Sequence, residues 1–168
     1  AVKDALKDIR LGLEQSKESI SDYVYNDIKN IIEEAEKELF DMLGNGASDM
    51  EIVGKLEQTK GEIEDIMKGE QYKNDQAAED LKDANQGTTD EQLKENVDNL
   101  ADAIQKGDKQ EISDSMQGIK DWLENQENKA EAYDKLEGVF SDAANKMEQD
   151  GNQEFSDAFK DVANEMYD

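Results

Sequence analysis

Any proton transfer or nucleophilic chemistry in this chain has to be done by carboxylates, amines and hydroxyls, because its 168 residues include no histidine and no cysteine. Without imidazole or thiol, the commonest general base, the thiolate nucleophile and every His-dependent triad are excluded. The carboxylates that sequence spacing offers for acid and base work are Glu33, Glu34, Glu36 and Glu38 in one run, and Asp114 with Glu124 in another. A working pair needs two carboxyl groups facing each other across a substrate, held in opposite protonation states. Charge runs on amphipathic helices mark a solvated face instead, and di-iron bundles add to their glutamates a histidine that this chain lacks. No enzymatic activity is expected.

Asp150, Gly151 and Asn152 ahead of Phe155 have the flavour of a calcium loop, in which oxygen ligands alternate around a central glycine. The register fails. With Gly151 as the sixth loop residue, the first and third ligand positions fall on Lys146 and Glu148, so the cation would meet an ammonium. The glycine is expected to end a helix. Neither a metal nor a cofactor is expected.

The remaining side chains with interaction chemistry are aromatic or thioether. Trp122 adjoins Ile119 and Leu123, Tyr23 and Tyr25 flank Val24, and Met116, Tyr133, Phe140 and Met147 recur along one apolar seam. Core packing is the first expectation for these seven, and a partner-facing anchor the second, since Trp and Tyr dominate interface energetics and Met adapts to irregular surfaces.

Charge narrows the partners. The chain has 44 acidic and 19 basic residues, a net charge of −25, and its single arginine is Arg10. Phosphate-rich surfaces repel such a chain, so direct binding to nucleic acid or anionic membrane is not expected. Self-repulsion at this charge density lowers stability at low ionic strength and keeps the surface soluble. Only 35% of residues are apolar, so the core is thin.

The elements that would position these groups are all helical. Apolar residues recur at three and four from Val2 through Leu13 to Ile20 and on through Val24 to Met42, which reads as one long helix or two stacked end to end, with the Ser19, Ser21 and Asp22 cluster as the place for a break and a stop at Gly44–Gly46. Ser48 and Glu51 form a capping box for a second long helix that ends at Gly69. Residues 70–76 read as a polar linker, followed by a short helix on Ala77, Ala78, Leu81 and Ala84. Thr88 with Glu91, or Thr89 with Gln92, starts the next helix, which stops at Gly107, and Asp108 with Glu111 starts another. From Ile112 to Met147 a heptad-like seam predicts one helix of about forty residues, or two nearly collinear ones parted near 125–128. Phe155, Phe159, Val162 and Met166 define the last helix. Gly54 and Gly61, seven apart, admit either a close backbone approach or tolerance on an exposed face.

No strand pattern is sustained, so the expected fold is all-α: an antiparallel bundle of five to seven helices, at least one of them long, with short glycine-containing turns. It is organised as a single domain over 1–168, or as sub-bundles 1–69 and 88–168 joined through 70–87. No apolar run is long enough for a membrane span. Ala1 fits removal of an initiator methionine or of a secretion signal, and cytoplasm, virion and exterior all fit the composition. The expected function is a structural or protein–protein interaction component, self-association included. Two alternatives are an acidic mimic of nucleic acid that occupies a basic DNA- or RNA-binding protein, and a carrier of an apolar ligand between amphipathic helices.

Overall fold

The computed structural model describes residues 2–17 and 20–165, and every regular element among them is an α-helix. The order is α1 (Val2–Ser16), α2 (Asp22–Gly44), α3 (Asp49–Asn85), α4 (Glu91–Lys106), α5 (Lys109–Glu124), α6 (Lys129–Gln149) and α7 (Gln153–Glu165). Ser19 and Met166, assigned above to a helix break and to the last apolar face, lie outside the described residues.

Helix starts are set by side-chain caps. Ser21 accepts the Val24 amide, Ser48 the Glu51 amide at 3.2 Å, Asp108 the Gln110 and Glu111 amides, and Asn128 the Glu131 amide. The start of α4 differs from expectation. Neither threonine caps it; Asp90 does, accepting the Leu93 amide, because its extended backbone brings a carboxylate onto the free N–H groups. At the other end of α4, Gly107 takes φ 69°, a left-handed conformation that returns the chain on itself.

Three of the expected elements change, the first being the run from Val2 to Met42, which is neither one long helix nor two stacked end to end but a pair folded back on itself, Arg10 bonding Glu36 and Tyr25 bonding Glu14. Residues 70–76 are helix, and α3 runs 37 residues through Gly69 without a stop. One helical glycine costs only about 1 kcal/mol, and the polar stretch after it holds good helix formers and no proline. The seam from Ile112 to Met147 is two helices parted at 125–128, and they are not collinear. Ile119 and Leu136 line one cavity, whereas on a single straight helix they would stand about 25 Å apart. Asn125 closes α5 and Asn128 opens α6, so the chain turns back between them.

The chain divides into two compact units, residues 1–70 and 71–168. In the first, α1 and α2 run antiparallel, tied by a bidentate Arg10–Glu36 pair and by the Tyr25 hydroxyl donating to Glu14, while Lys55 of α3 pairs with Glu38 of α2. Its core comes in two clusters. Leu13, Ile20, Ile28 and Ile32 form one, and Leu6, Leu39 and Ile52 the other.

The second unit holds the larger core, in which Leu81, Leu93, Val97, Ile119, Leu136, Phe140 and Met147 are buried together. Alanines 77, 78, 101, 143, 144 and 163 share that core, and their small side chains let helices approach closely. α4 and α5 are antiparallel, with Asn96 reaching the Gly118 carbonyl and Trp122 reaching Asp90 at matched distances from the Gly107 turn. α6 and α7 are likewise paired by the Ser156 hydroxyl on the Ala144 carbonyl and by an edge-to-face contact of Phe140 with Phe159, centroids 5.4 Å apart. Asn85, fully buried, donates to the Lys94 carbonyl and to Asp98 and joins α3 to α4. Among the described residues no helix is long and apolar enough to cross a membrane.

Candidate functional site

The seven candidate aromatics and methionines separate into three settings. Phe140 and Met147 are completely enclosed in the second unit and serve packing. Tyr23 and Tyr25 belong to the first unit. Tyr23 is 69% exposed, while Tyr25 lies against the surface with the Lys17 ammonium 5.2 Å from its ring centre. The hydrogen bond to Glu14 raises the Tyr25 hydroxyl pKa above its usual value of 10, since it is the protonated phenol that donates. Met116, Trp122 and Tyr133 lie on the α5–α6 hairpin, and two of these meet.

Met116 and Tyr133 face each other across an apolar notch of about 270 Å³. α5 contributes Met116, Ile119, Lys120 and Leu123, α6 contributes Tyr133 and Leu136, and α7 contributes Val162. Ile119 and Leu136 are buried and make the floor, while Met116, Leu123, Tyr133 and Val162 are half-buried and make the walls. The spacing explains the arrangement: 116, 119 and 123 recur at three and four on α5, and 133 and 136 do so on α6. When the helices fold back on one another those two stripes converge. Lys120 stands exposed at the edge.

Trp122 borders the neighbouring surface. It is 6% exposed and lines two depressions, one of about 300 Å³ with Asn125, Asn128 and Ala132, the other of about 480 Å³ with Asp90, Asn96 and Gly118. Another depression is walled by Asp90, Asp134, Lys135 and Asp142. All three are lined mainly by polar and charged side chains, whereas the notch has Lys120 at its edge and is otherwise aliphatic, aromatic or thioether.

Of the carboxylates weighed for acid and base work, Glu36 is held by Arg10 and Glu38 by Lys55, and Asp114 and Glu124 are ten positions apart on α5, about 15 Å along the axis. No group of three or more acidic side chains among the described residues is placed to hold a metal ion. Gly151 takes φ 79° at the end of α6, where the Asp150 amide bonds back to the Lys146 carbonyl, and this is helix termination.

Two features escaped the sequence. Leu123 and Val162 are notch walls, though spacing alone assigns them to the core, because only the tertiary fold shows which seam positions stay half open. Asp80 is buried at 6% exposure, and its signal was present: it lies three past Ala77 and four before Ala84, on the stripe that carries the apolar face. Comparisons with protein-family models, with curated proteins and with solved structures found no match to this chain.

Proposed function

We propose that this chain is a non-catalytic docking module that binds a protein partner on the α5–α6–α7 face of its second unit, taking a bulky apolar side chain into the notch. The notch itself carries the reading. It is walled by half-buried Met116, Leu123, Tyr133 and Val162, a composition typical of anchor-receiving sites. At about 270 Å³ it suits one anchoring side chain.

Charge supplies the partner's chemistry. The second unit carries 26 acidic and ten basic residues, so a second copy of the chain is repelled, and a helix with a basic face around its apolar stripe is attracted. That partner is an amphipathic basic segment of another protein, docking as a helix in a groove.

Two synthetic amphipathic peptides, one of leucine and lysine and one of leucine and glutamate, test this together with a lysine–serine peptide of equal charge. The leucine–lysine peptide is expected to bind in fluorescence anisotropy, more weakly as salt rises. Val162→Trp, which fills the notch without changing charge, is expected to weaken it at least tenfold. Equal binding of the lysine–serine peptide, or indifference to the filled notch, would leave only a charged surface and end the proposal.

A further inference from the structure

Asp80 is the most conspicuous anomaly in the molecule. It projects from the C-terminal half of α3 into the second unit, and its Oδ2 is fully enclosed with no hydrogen-bond donor. The charges that raise its pKa are Asp150, from the turn between α6 and α7, and then Asp83 and Glu79 from its own helix, all negative. The nearby ammonium of Lys82 is taken by Asp102 at 2.7 Å. The Asp150 side chain is close enough to hydrogen-bond the Asp80 carboxyl, a contact that two ionised carboxylates cannot make.

The surrounding turn is otherwise committed. Two residues beyond Asp150, the buried Asn152 donates one N–H of its Nδ2 to the Lys73 carbonyl at 2.9 Å, and its second N–H does not reach Asp80 Oδ2, which has no partner. Asn152 also starts α7, accepting the Ser156 amide on its carbonyl. The α6–α7 turn is therefore fixed to α3 by Asn152 on Lys73, and beside that bond Asp150 faces Asp80, an approach that becomes an attachment only when one of the two carboxyls carries a proton.

We propose that the Asp80–Asp150 carboxyl pair is a proton-operated latch: one shared proton fastens the α6–α7 turn to α3, and its loss loosens that attachment. With the proton present, the Asp80 hydroxyl donates to the exposed Asp150 carboxylate and the pair carries a single negative charge. With it gone, a buried carboxylate without a donor faces a second one, and the turn moves away to let water in.

Burial first, and then Asp150, push the Asp80 pKa up from 3.8 to about 7. The folded state then holds a proton that an unfolded carboxyl releases, so stability declines as pH rises from about 4 to about 7 and levels off above. The absence of histidine makes this legible, since no imidazole titrates in the same range.

The test is an NMR pH titration of the Gly151 and Asn152 amides, with melting temperatures at pH 5.5 and 8, on the intact chain and on Asp80→Asn. The intact chain is expected to show an inflection near pH 7 and to melt lower at pH 8. In Asp80→Asn, whose amide donates to Asp150 at any pH, both effects are expected to vanish. Asp150→Asn removes the facing charge, and it is expected to move the inflection to lower pH; should Asp80→Asn fail to fold, this variant decides the question. Unchanged profiles in the variants would overturn the latch. So would calcium chloride raising the pH 8 melting temperature of the intact chain but not of the variants, for the pair would then be a cation site.

Discussion

The Trp122 indole Nε1 donates to Oδ1 of Asp90 at 3.3 Å, and that same oxygen accepts the Leu93 amide at 3.0 Å and starts α4. One carboxylate thus both caps a helix and orients the aromatic ring that closes the α4–α5 hairpin. Asp90→Ala should lower stability by about 1–2 kcal/mol in urea denaturation followed by circular dichroism, because both donors lose their acceptor. Asp90→Asn keeps an acceptor oxygen and should cost less than half as much. Equal losses for the two variants would mean that the oxygen is not what holds the corner.

The glycines of α3 offer a gain in stability. A methyl group added at Gly54 or Gly61 meets nothing within 4 Å, so the close backbone approach weighed from their spacing is absent; Gly54 is exposed and Gly61 half-buried, each with open space around it. Gly54→Ala and Gly61→Ala should each raise stability by about 0.5–1 kcal/mol. Gly107→Ala should do the reverse by a similar amount, since its φ of 69° is unfavourable for any residue with a β-carbon. Destabilisation by either α3 variant would show that the helix needs those positions bare.

Phe140 has no exposed surface and stacks edge-on against Phe159, so Phe140→Ala should cost about 3–5 kcal/mol and leave the second unit barely folded. Met50, 87% exposed, is the control, and Met50→Ala should fall within about 0.5 kcal/mol of the parent. Comparable midpoints for the two variants in a denaturant series would contradict the packing described.

Sodium chloride should raise the melting temperature. A net charge of −25 spread over both units produces self-repulsion, and raising ionic strength shortens its range from about 10 Å at 0.1 M to about 3 Å at 1 M. The opposing effect is the screening of ion pairs such as Lys160–Glu148 and Lys82–Asp102, which are exposed and individually weak. A melting temperature flat or falling between low and molar salt would show that attraction, not repulsion, dominates the surface.

Helical class, the stop at Gly107 and the Ser48 and Asp108 caps were legible because each rests on local chemistry within four residues, and the cluster at Ser21 marked where a break would fall without deciding that the chain breaks there. The passage of α3 through 70–76 was not, since polar residues that lack an apolar stripe look alike in a linker and on an exposed helix. The fold-back at 125–128 left a mark in its asparagines, but direction after a turn is set by which faces pack, and that is tertiary. The same limit applies to the notch. Spacing placed Met116 and Tyr133 on apolar stripes, yet the half-open position of Leu123 and Val162 depends on how far apart three helices settle.

The single tryptophan has a practical consequence. All indole emission from this chain originates at residue 122 in the second unit, whereas the first unit contributes only the tyrosines at 23 and 25. Red-edge excitation therefore interrogates one half of the protein in isolation, while far-ultraviolet ellipticity sums over both. Superimposable melts from the two signals would establish one cooperative transition; an early ellipticity phase invisible to the indole would belong to residues 1–70, the half with the smaller apolar interior.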